Sequence, residues 1–473
     1  MDTKGVIEKQ ATKAAEAGAV CCNLPPTDSI QRSTVDSRVQ VWPAHSSTRM
    51  TNGEPAPEAG TVDPSEETVH PQIWQLAAEI FQPDELERLV PRQRSARPVT
   101  GGGDLRLLDP ITFTEAVAYE FLARGGKQAR PFITLATFAA LAGTNEPLGT
   151  AQASVPEGVH TSGGVHIPSG VHIPDHVKRV ALSIETFHKA SLVHDDIEDE
   201  DEYRYGQPTL HRRYGIASAI NVGDYLIGLG YRLVSRDAGL LGAEIAAQLI
   251  DILAAAHQRL CEGQGAELFW RDALNKQLTP ADALRIYALK TSPAFEAALL
   301  CGACLRGGLE SYAEPFRRFA KHVGIAFQIL NDLKDWSRDE SNKKTIGGDL
   351  VGGRPTVLWA LALESLPPSA QAELLDLAGN RQLCDSARME RARELYAQGN
   401  VFDAARRLVI EQRSAAVDVA RELPEGAMRR LLKYIIETVL NRPHELQLGL
   451  AIEQGEAETG VGSNLVTAPG SAN

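Results

Sequence analysis

Apolar side chains recur at three- and four-residue intervals along most of residues 72–445, the spacing that gives an α-helix one buried face. The pattern predicts short amphipathic helices over QIWQLAAEIF and DELERLV, a helix from about Phe113, and a longer one through VKRVALSIETFHKASLV from Val177. From Ile216 it is almost continuous, through AINVGDYLIGLGYRLV, AAQLIDILAAAHQRLCEGQGAEL and ADALRIYALKTSPAFEAALLCGACL. Later stretches such as AQAELLDLAGN, ARELYAQGNVFDAARRLVIEQR and MRRLLKYIIETVL close the set as packing elements. The fold class read from this is all-α: one large helical bundle with a central cavity lined by facing helices.

Three stretches break the pattern. Residues 1–71 mix Ala, Ser, Thr, Pro and Glu with few large apolar side chains, which predicts a disordered N-terminal extension. Cys21–Cys22 within it has no surroundings that support lipidation or redox chemistry. Residues 446–473 predict a disordered tail in the same way. Residues 145–175 turn to Gly, Pro and Ser, and GVHTSG, GVHIPS and GVHIPD repeat there at a period of six. Three copies are too few to stack a β-helix core, and His160, His166 and His172 have no carboxylate or cysteine companions. The segment therefore reads as a duplicated surface loop inserted between two helices.

Composition narrows the function. The chain has 473 residues, 43% of them hydrophobic, and a formal net charge of −13, which argues against a nucleic-acid-binding surface. Six cysteines without regular spacing indicate a reducing compartment, and Cys301 and Cys304, inside ALLCGACL, read as packing residues. No apolar run approaches the roughly 20 residues of a membrane span, and the N-terminus has no secretory apolar region. Soluble and cytoplasmic is the resulting expectation.

The chemistry concentrates in two acidic helix ends. The long helix from Val177 runs into DDIED, where Asp195, Asp196 and Asp199 can converge on one point from a single helix face. Hard oxygen ligands in this number suit Mg²⁺, although the patch taken alone reads equally as a solvated acidic helix end. A second helix ends in GIAFQILNDLKDW, with Gln328, Asp332 and Asp335 spaced four and three apart on one side. Two acidic ends facing one cavity would bind a polyanion through bridging Mg²⁺, and diphosphate is the natural candidate.

The pair DDIED and NDLKD resembles the two aspartate-rich motifs of the trans-isoprenyl (polyprenyl) diphosphate synthases, of the geranylgeranyl or longer-chain type. Further segments resemble that family's motifs in the same order across residues 72–445. In GGKQARP, Lys127 and Arg130 match the residues that hold isopentenyl diphosphate, with Gln128 replacing an arginine between them. By spacing alone they sit on one side of a helical turn after adjacent glycines, a plausible clamp or an ordinary surface turn. His188, about two turns before Asp195, matches a third contact to that substrate.

Arg204, Gly206, Pro208 and Thr209 match an RRGxPT element in which Tyr205 stands where a second arginine is usual. Gln264 and Glu267, and Lys290 with Thr291, resemble two lesser motifs, and Pro293 predicts a kink beside Lys290. Lys344 and Arg354, in KTIGGDLVGGRPT, would add positive charge over the diphosphate. Asn331 replaces the first aspartate of the second motif, which removes one negative charge from the metal set.

The resemblance implies an isoprenoid synthase-type bundle of about ten core helices, assembled as a homodimer. It implies a prenyltransferase using two or three Mg²⁺ ions, held by Asp195, Asp196, Asp199, Asp332 and Asp335, to condense isopentenyl diphosphate with an allylic diphosphate. Arg204 and Lys290 would assist catalysis, and Thr291, Gln328, Lys344 and Arg354 would contact substrate. Product length is expected to follow Ala190 and Ser191, both small, and Phe187 one turn deeper, giving about C20 or longer. Two other readings share parts of this pattern: a class I terpene cyclase, which would not need the isopentenyl clamp, and a non-catalytic partner subunit or prenyl-diphosphate-binding protein, suggested by Gln128, Tyr205 and Asn331.

Overall fold

The computed structural model describes residues 69–92, 109–142, 165–166, 172–273, 276–336, 347–379 and 383–440. Residues 1–68 of the expected N-terminal extension, the expected C-terminal tail, His160 and Lys344 lie outside the described residues. The rest is mostly helical, and the first helix begins within the last residues of that expected extension: α1 Val69–Glu79, α2 Pro83–Leu89, α3 Pro110–Ala123, α4 Ala129–Ala140 and α5 Asp175–Glu198. Next come α6 Ile216–Ser235, α7 Ala243–Asp272, α8 Pro280–Lys290, α9 Ser292–Cys304 and α10 Leu309–Asp335. The chain closes with α11 Val357–Ser365, α12 Pro368–Gly379, α13 Asp385–Gln398, α14 Val401–Glu422 and α15 Ala427–Leu440. No described helix is long and apolar enough to cross a membrane.

Local chemistry fixes several starts. Asp109 caps α3 and Pro110 occupies its first turn, where the missing N–H is no loss. The Thr279 hydroxyl accepts from the Asp282 N–H at the head of α8, and Thr356 accepts from the Trp359 N–H at the head of α11, each at 3.2 Å.

Helix α9 is the centre of the bundle, buried around nearly its whole circumference and packed on α4, α7 and α10. Cys301 and Cys304 sit there buried and free, as the apolar context of ALLCGACL predicts. The most extensive pairings are α5 on α6 and α10 on α14. Close packing of α10 on the α8–α9 joint depends on Gly324, where a Cβ would lie 2.4 Å from Ser292 Oγ and 2.7 Å from Ser292 Cα. Backbone cannot yield as a side chain does, so Gly324→Ala is expected to destabilise by about 1–3 kcal/mol. A thermal melt matching the wild type would show that the two helices separate freely.

Three expectations change. Pro293 does not kink a single helix: α8 ends at Lys290, Thr291 takes φ −122° and ψ −44°, and a new helix starts with Pro293 in its first turn. Lys127 is not on a helical turn with Arg130. It precedes α4 and is exposed, and Gln128 between them adopts a left-handed backbone with φ 42°. The last copy of the repeat is also more than a surface loop. Val165–His166 (β1) pairs antiparallel with His172–Ile173 (β2), Ile173 is buried in the core, and Asp175 pairs with Arg88 at 2.6 Å. Apolar burial of one isoleucine and an ion pair tie this copy to the bundle.

Candidate active site

The first aspartate-rich stretch ends α5, where Asp199 is the C-cap. Two of its three carboxylates are held by different arginines. Asp196 accepts from Arg204 Nε at 2.8 Å, and its second oxygen, Oδ2, is buried without a partner. Asp199 pairs with Arg354 at 2.8 Å and Arg271 at 3.4 Å. Burial pushes the Asp195 carboxyl up to about 7; Asp199, Glu198 and Glu267 push the same way while Lys290 opposes them. Among the described residues no three acidic, histidine or cysteine side chains form a ready-made metal cage, and Asp196 and Asp199 are each held by an arginine. Each arginine gains a charge-assisted bond by taking a carboxylate that like-charge repulsion would otherwise drive apart.

The second stretch, at the end of α10, faces the first. Asp332 is 2% exposed and accepts a hydrogen bond from the Tyr287 hydroxyl, which itself accepts from the Val357 N–H at 2.7 Å. Burial, with Asp349 adding to it, holds the Asp332 carboxyl well above the usual carboxylate range. Burial raises Asp349 as well, and Arg354, paired with it at 2.9 Å, opposes the shift. The Asp349 N–H donates to Asp335 Oδ2 at 3.2 Å, tying the following loop to the helix end.

Arg354 thus bridges Asp199 of the first stretch and Asp349 beside the second. Lys290 pairs with Glu267 at 2.7 Å; burial disfavours its charge, yet Glu267, Asp195 and Asp199 hold its pKa above the usual lysine value. Thr291 Oγ1 donates to Gln328 Oε1 at 3.2 Å, and Gln264 Nε2 to Glu198 Oε2 at 2.5 Å. These contacts place nearly all of the described acidic, amide and cationic candidates on one set of facing helix ends.

Arg130 and His188 lie deeper, on the α4 and α5 side. Burial pulls the Arg130 guanidinium down, Glu185 partly opposing, and its Nε has no hydrogen-bond partner. Burial pulls the His188 imidazole well below its usual value, with Arg130, Lys189 and Arg204 pushing the same way. The ring is therefore neutral at neutral pH. Phe187 meets the Tyr231 ring edge-on at 4.7 Å and His257 at 5.6 Å, while Ala190 is buried against Val117 and Phe121. Ser191 Oγ turns back to the His188 carbonyl at 2.9 Å.

Residues 112–396 match the polyprenyl synthetase family model. The chain belongs to the polyprenyl synthetase family. It is 31% identical over 271 residues to the all-trans-nonaprenyl-diphosphate synthase (geranyl-diphosphate specific) of Rhodobacter capsulatus, covering 56% of this chain and 78% of that protein. The geranylgeranyl pyrophosphate synthetase of Pyrococcus horikoshii superposes with a TM-score of 0.61 at 25% identity, over 80% of this chain and 99% of that one. A polyprenyl synthase from Caulobacter crescentus, solved with calcium and isoprenyl diphosphate, superposes at 0.59 and 25% identity, over 79% and 98%.

Several residues of this polyprenyl synthetase site escaped the sequence. Tyr287 gave no signal beyond standing one turn before Lys290, and Asp349 lies inside GGDL without a partner in view. Lys189 and Glu185 also went unread, although a charge on the apolar face of a long helix is an anomaly that could have found them. Tyr287→Phe removes a donor to Asp332 and an acceptor of the Val357 N–H in a buried place, and is expected to weaken divalent-ion affinity about 10- to 100-fold. Calorimetric titration with Mg²⁺ checks this; unchanged affinity would show that Tyr287 does not orient Asp332.

Proposed function

We propose that this polyprenyl synthetase condenses isopentenyl diphosphate with an allylic diphosphate, releasing diphosphate, to make a trans-polyprenyl diphosphate of about C20 or longer. The observation that carries the reading is the Arg354 bridge between Asp199 and Asp349, with Lys290 beside Asp195: two acidic helix ends and their cations share one space.

A divalent cation fits these residues. The donors are carboxylate oxygens, Asp196 Oδ2 is buried and unpartnered, and burial raises Asp195 despite Lys290. Asp195, Asp196, Asp199, Asp332 and Asp335 are the residues assigned to hold Mg²⁺. The ion supplies electrophilic charge that draws electrons toward a departing diphosphate.

The chain's own groups account for the rest. Arg204, Lys290 and Arg354 stabilise negative charge on the leaving group as the allylic C–O bond breaks, its electron pair going to the diphosphate. Lys127, Arg130 and neutral His188 hold isopentenyl diphosphate so that its double bond attacks the allylic carbon and forms the new C–C bond. A proton then leaves the extended chain, with the released diphosphate as its acceptor, and no protein base is required. Phe187, Tyr231 and His257 form an aromatic floor one turn below Ser191, which favours a long product over a short one.

The names of the relatives favour this reading over a terpene cyclase or an inactive partner subunit. The test is turnover with Mg²⁺, labelled isopentenyl diphosphate and, separately, C5, C10 and C15 allylic diphosphates, with product length read by chromatography. Elongation to about C20 or beyond is expected. Consumption of allylic diphosphate without incorporation of label would point to cyclisation, and a product that stops at C15 would overturn the floor.

A further inference from the structure

Lys189 is buried, 1% exposed, in the middle of α5. Its ammonium donates to the Arg124 carbonyl, at the C-terminal end of α3, and to the Gly125 carbonyl at 2.7 Å. The ring of Tyr205 covers it with a centroid distance of 4.1 Å, and Phe121 flanks it at 5.5 Å. Among the described residues no carboxylate stands within ion-pair distance of it. A buried, unpaired ammonium is expensive unless something compensates it, and two carbonyl dipoles and an aromatic face are partial compensation.

What lies around it suggests the missing partner. The Gly125–Gly126 turn precedes Lys127 and Arg130. Gly126 has φ +115°, and a Cβ placed there would lie 3.5 Å from Tyr205 Oη and 3.7 Å from both Glu185 Oε1 and Lys189 Nζ. Tyr205 itself holds a left-handed backbone with φ 53°, unusual for an aromatic residue, which keeps its ring over the ammonium. Arg130 Nε and Glu185 Oε2 are both buried without a hydrogen-bond partner. Two cations, Lys189 and Arg130, thus act on one carboxylate beside a turn where the Arg130 Nε donor is unfilled, a surplus that an anion would balance.

We propose that Lys189 is a positioning residue for isopentenyl diphosphate: it pins the Gly125–Gly126 turn by its carbonyls and supplies there the charge that position 205 lacks, with Tyr205 as its cover. The proposal rests on the prenyltransferase reading and adds a residue to it. Arginine at 205 and tyrosine over lysine at 189 are then two ways of placing one cation beneath the same turn. Burial pulls the lysine pKa down to about 8, Glu185 opposing, so an anion held on the turn above it would stabilise the ammonium.

Lys189→Gln, Lys189→Met and the pair Lys189→Met with Tyr205→Arg separate charge from scaffolding. Glutamine still offers two N–H donors to the carbonyls of residues 124 and 125 but no charge. Steady-state kinetics of Lys189→Gln should show KM for isopentenyl diphosphate raised about 10- to 100-fold, the loss expected when the buried charge beneath the turn is removed. KM for the allylic diphosphate should stay within about twofold, and thermal melts should stay near the wild type. Lys189→Met should show the same KM split, and adding Tyr205→Arg should restore most of the isopentenyl affinity.

Equal changes in both KM values, an isopentenyl KM in Lys189→Gln equal to the wild type, or no recovery in the double variant would each overturn the proposal. If the methionine variants fail to fold, the glutamine variant decides alone. A wild-type protein that elongates no allylic diphosphate would overturn the prenyltransferase reading itself, and this proposal with it.

Discussion

Asp195→Ala is expected to lower turnover by at least about a thousandfold, because it removes a charged oxygen donor from the point where leaving-group charge must be stabilised. A near-wild-type rate would overturn the site assignment. The same carboxylate makes a second, opposite prediction for stability. Its folded pKa is about 7 against an ordinary value of 3.8, so between those values the folded protein holds a proton that the unfolded chain has released. Stability therefore falls as pH rises from about 4 to 7 and stays reduced above, by an amount on the order of 4 kcal/mol.

Asp195→Asn removes that loss. Without metal, the variant should melt several degrees above the wild type at pH 8, and the gap should close by pH 4. Added Mg²⁺ should raise the wild-type melting temperature and leave the variant nearly unchanged. A variant less stable than the wild type at pH 8 would show that Asp195 is already compensated in the folded chain.

Lys290→Met carries the other large effect. Lys290 and Glu267 are 2.7 Å apart with side chains 21% and 10% exposed, so removing the lysine strands a mostly buried carboxylate and destabilises the fold by about 3 kcal/mol. Turnover should fall about 100-fold or more, because the cation nearest Asp195 is gone. Adding Glu267→Gln to Lys290→Met should restore the melting temperature, since no unpaired charge remains, and should leave turnover low. Recovery of both together would reduce Lys290 to a structural partner of Glu267. Recovery of neither would mean that Glu267 has a further partner in the site.

The parts of this site that were legible in the sequence are those whose spacing a helix makes meaningful. Asp195, Asp196 and Asp199 are on one helix end, Gln328, Asp332 and Asp335 on another, and His188 lies two turns before the first acid. What spacing leaves open is which oxygen meets which nitrogen. Asp196 pairs with Arg204 just past the end of its own helix, whereas Asp199 pairs with Arg354 from a segment far along the chain, and helical spacing announces neither pairing. Lys127 and Gln128 show the same limit, since the GGKQARP stretch alone does not say whether the helix begins at residue 127 or 129. The backbone at Gln128, with φ 42°, places the start after it.

The sequence by itself determined the helical class, the two acidic helix ends and the family, because periodicity and motif order are local properties that survive without coordinates. Tertiary packing alone decided that Tyr287 braces Asp332, that Thr291 divides two helices, and that Lys189 is buried against the Gly125–Gly126 turn. Those outcomes depend on desolvation and on contacts across the bundle, which no single segment of the chain contains.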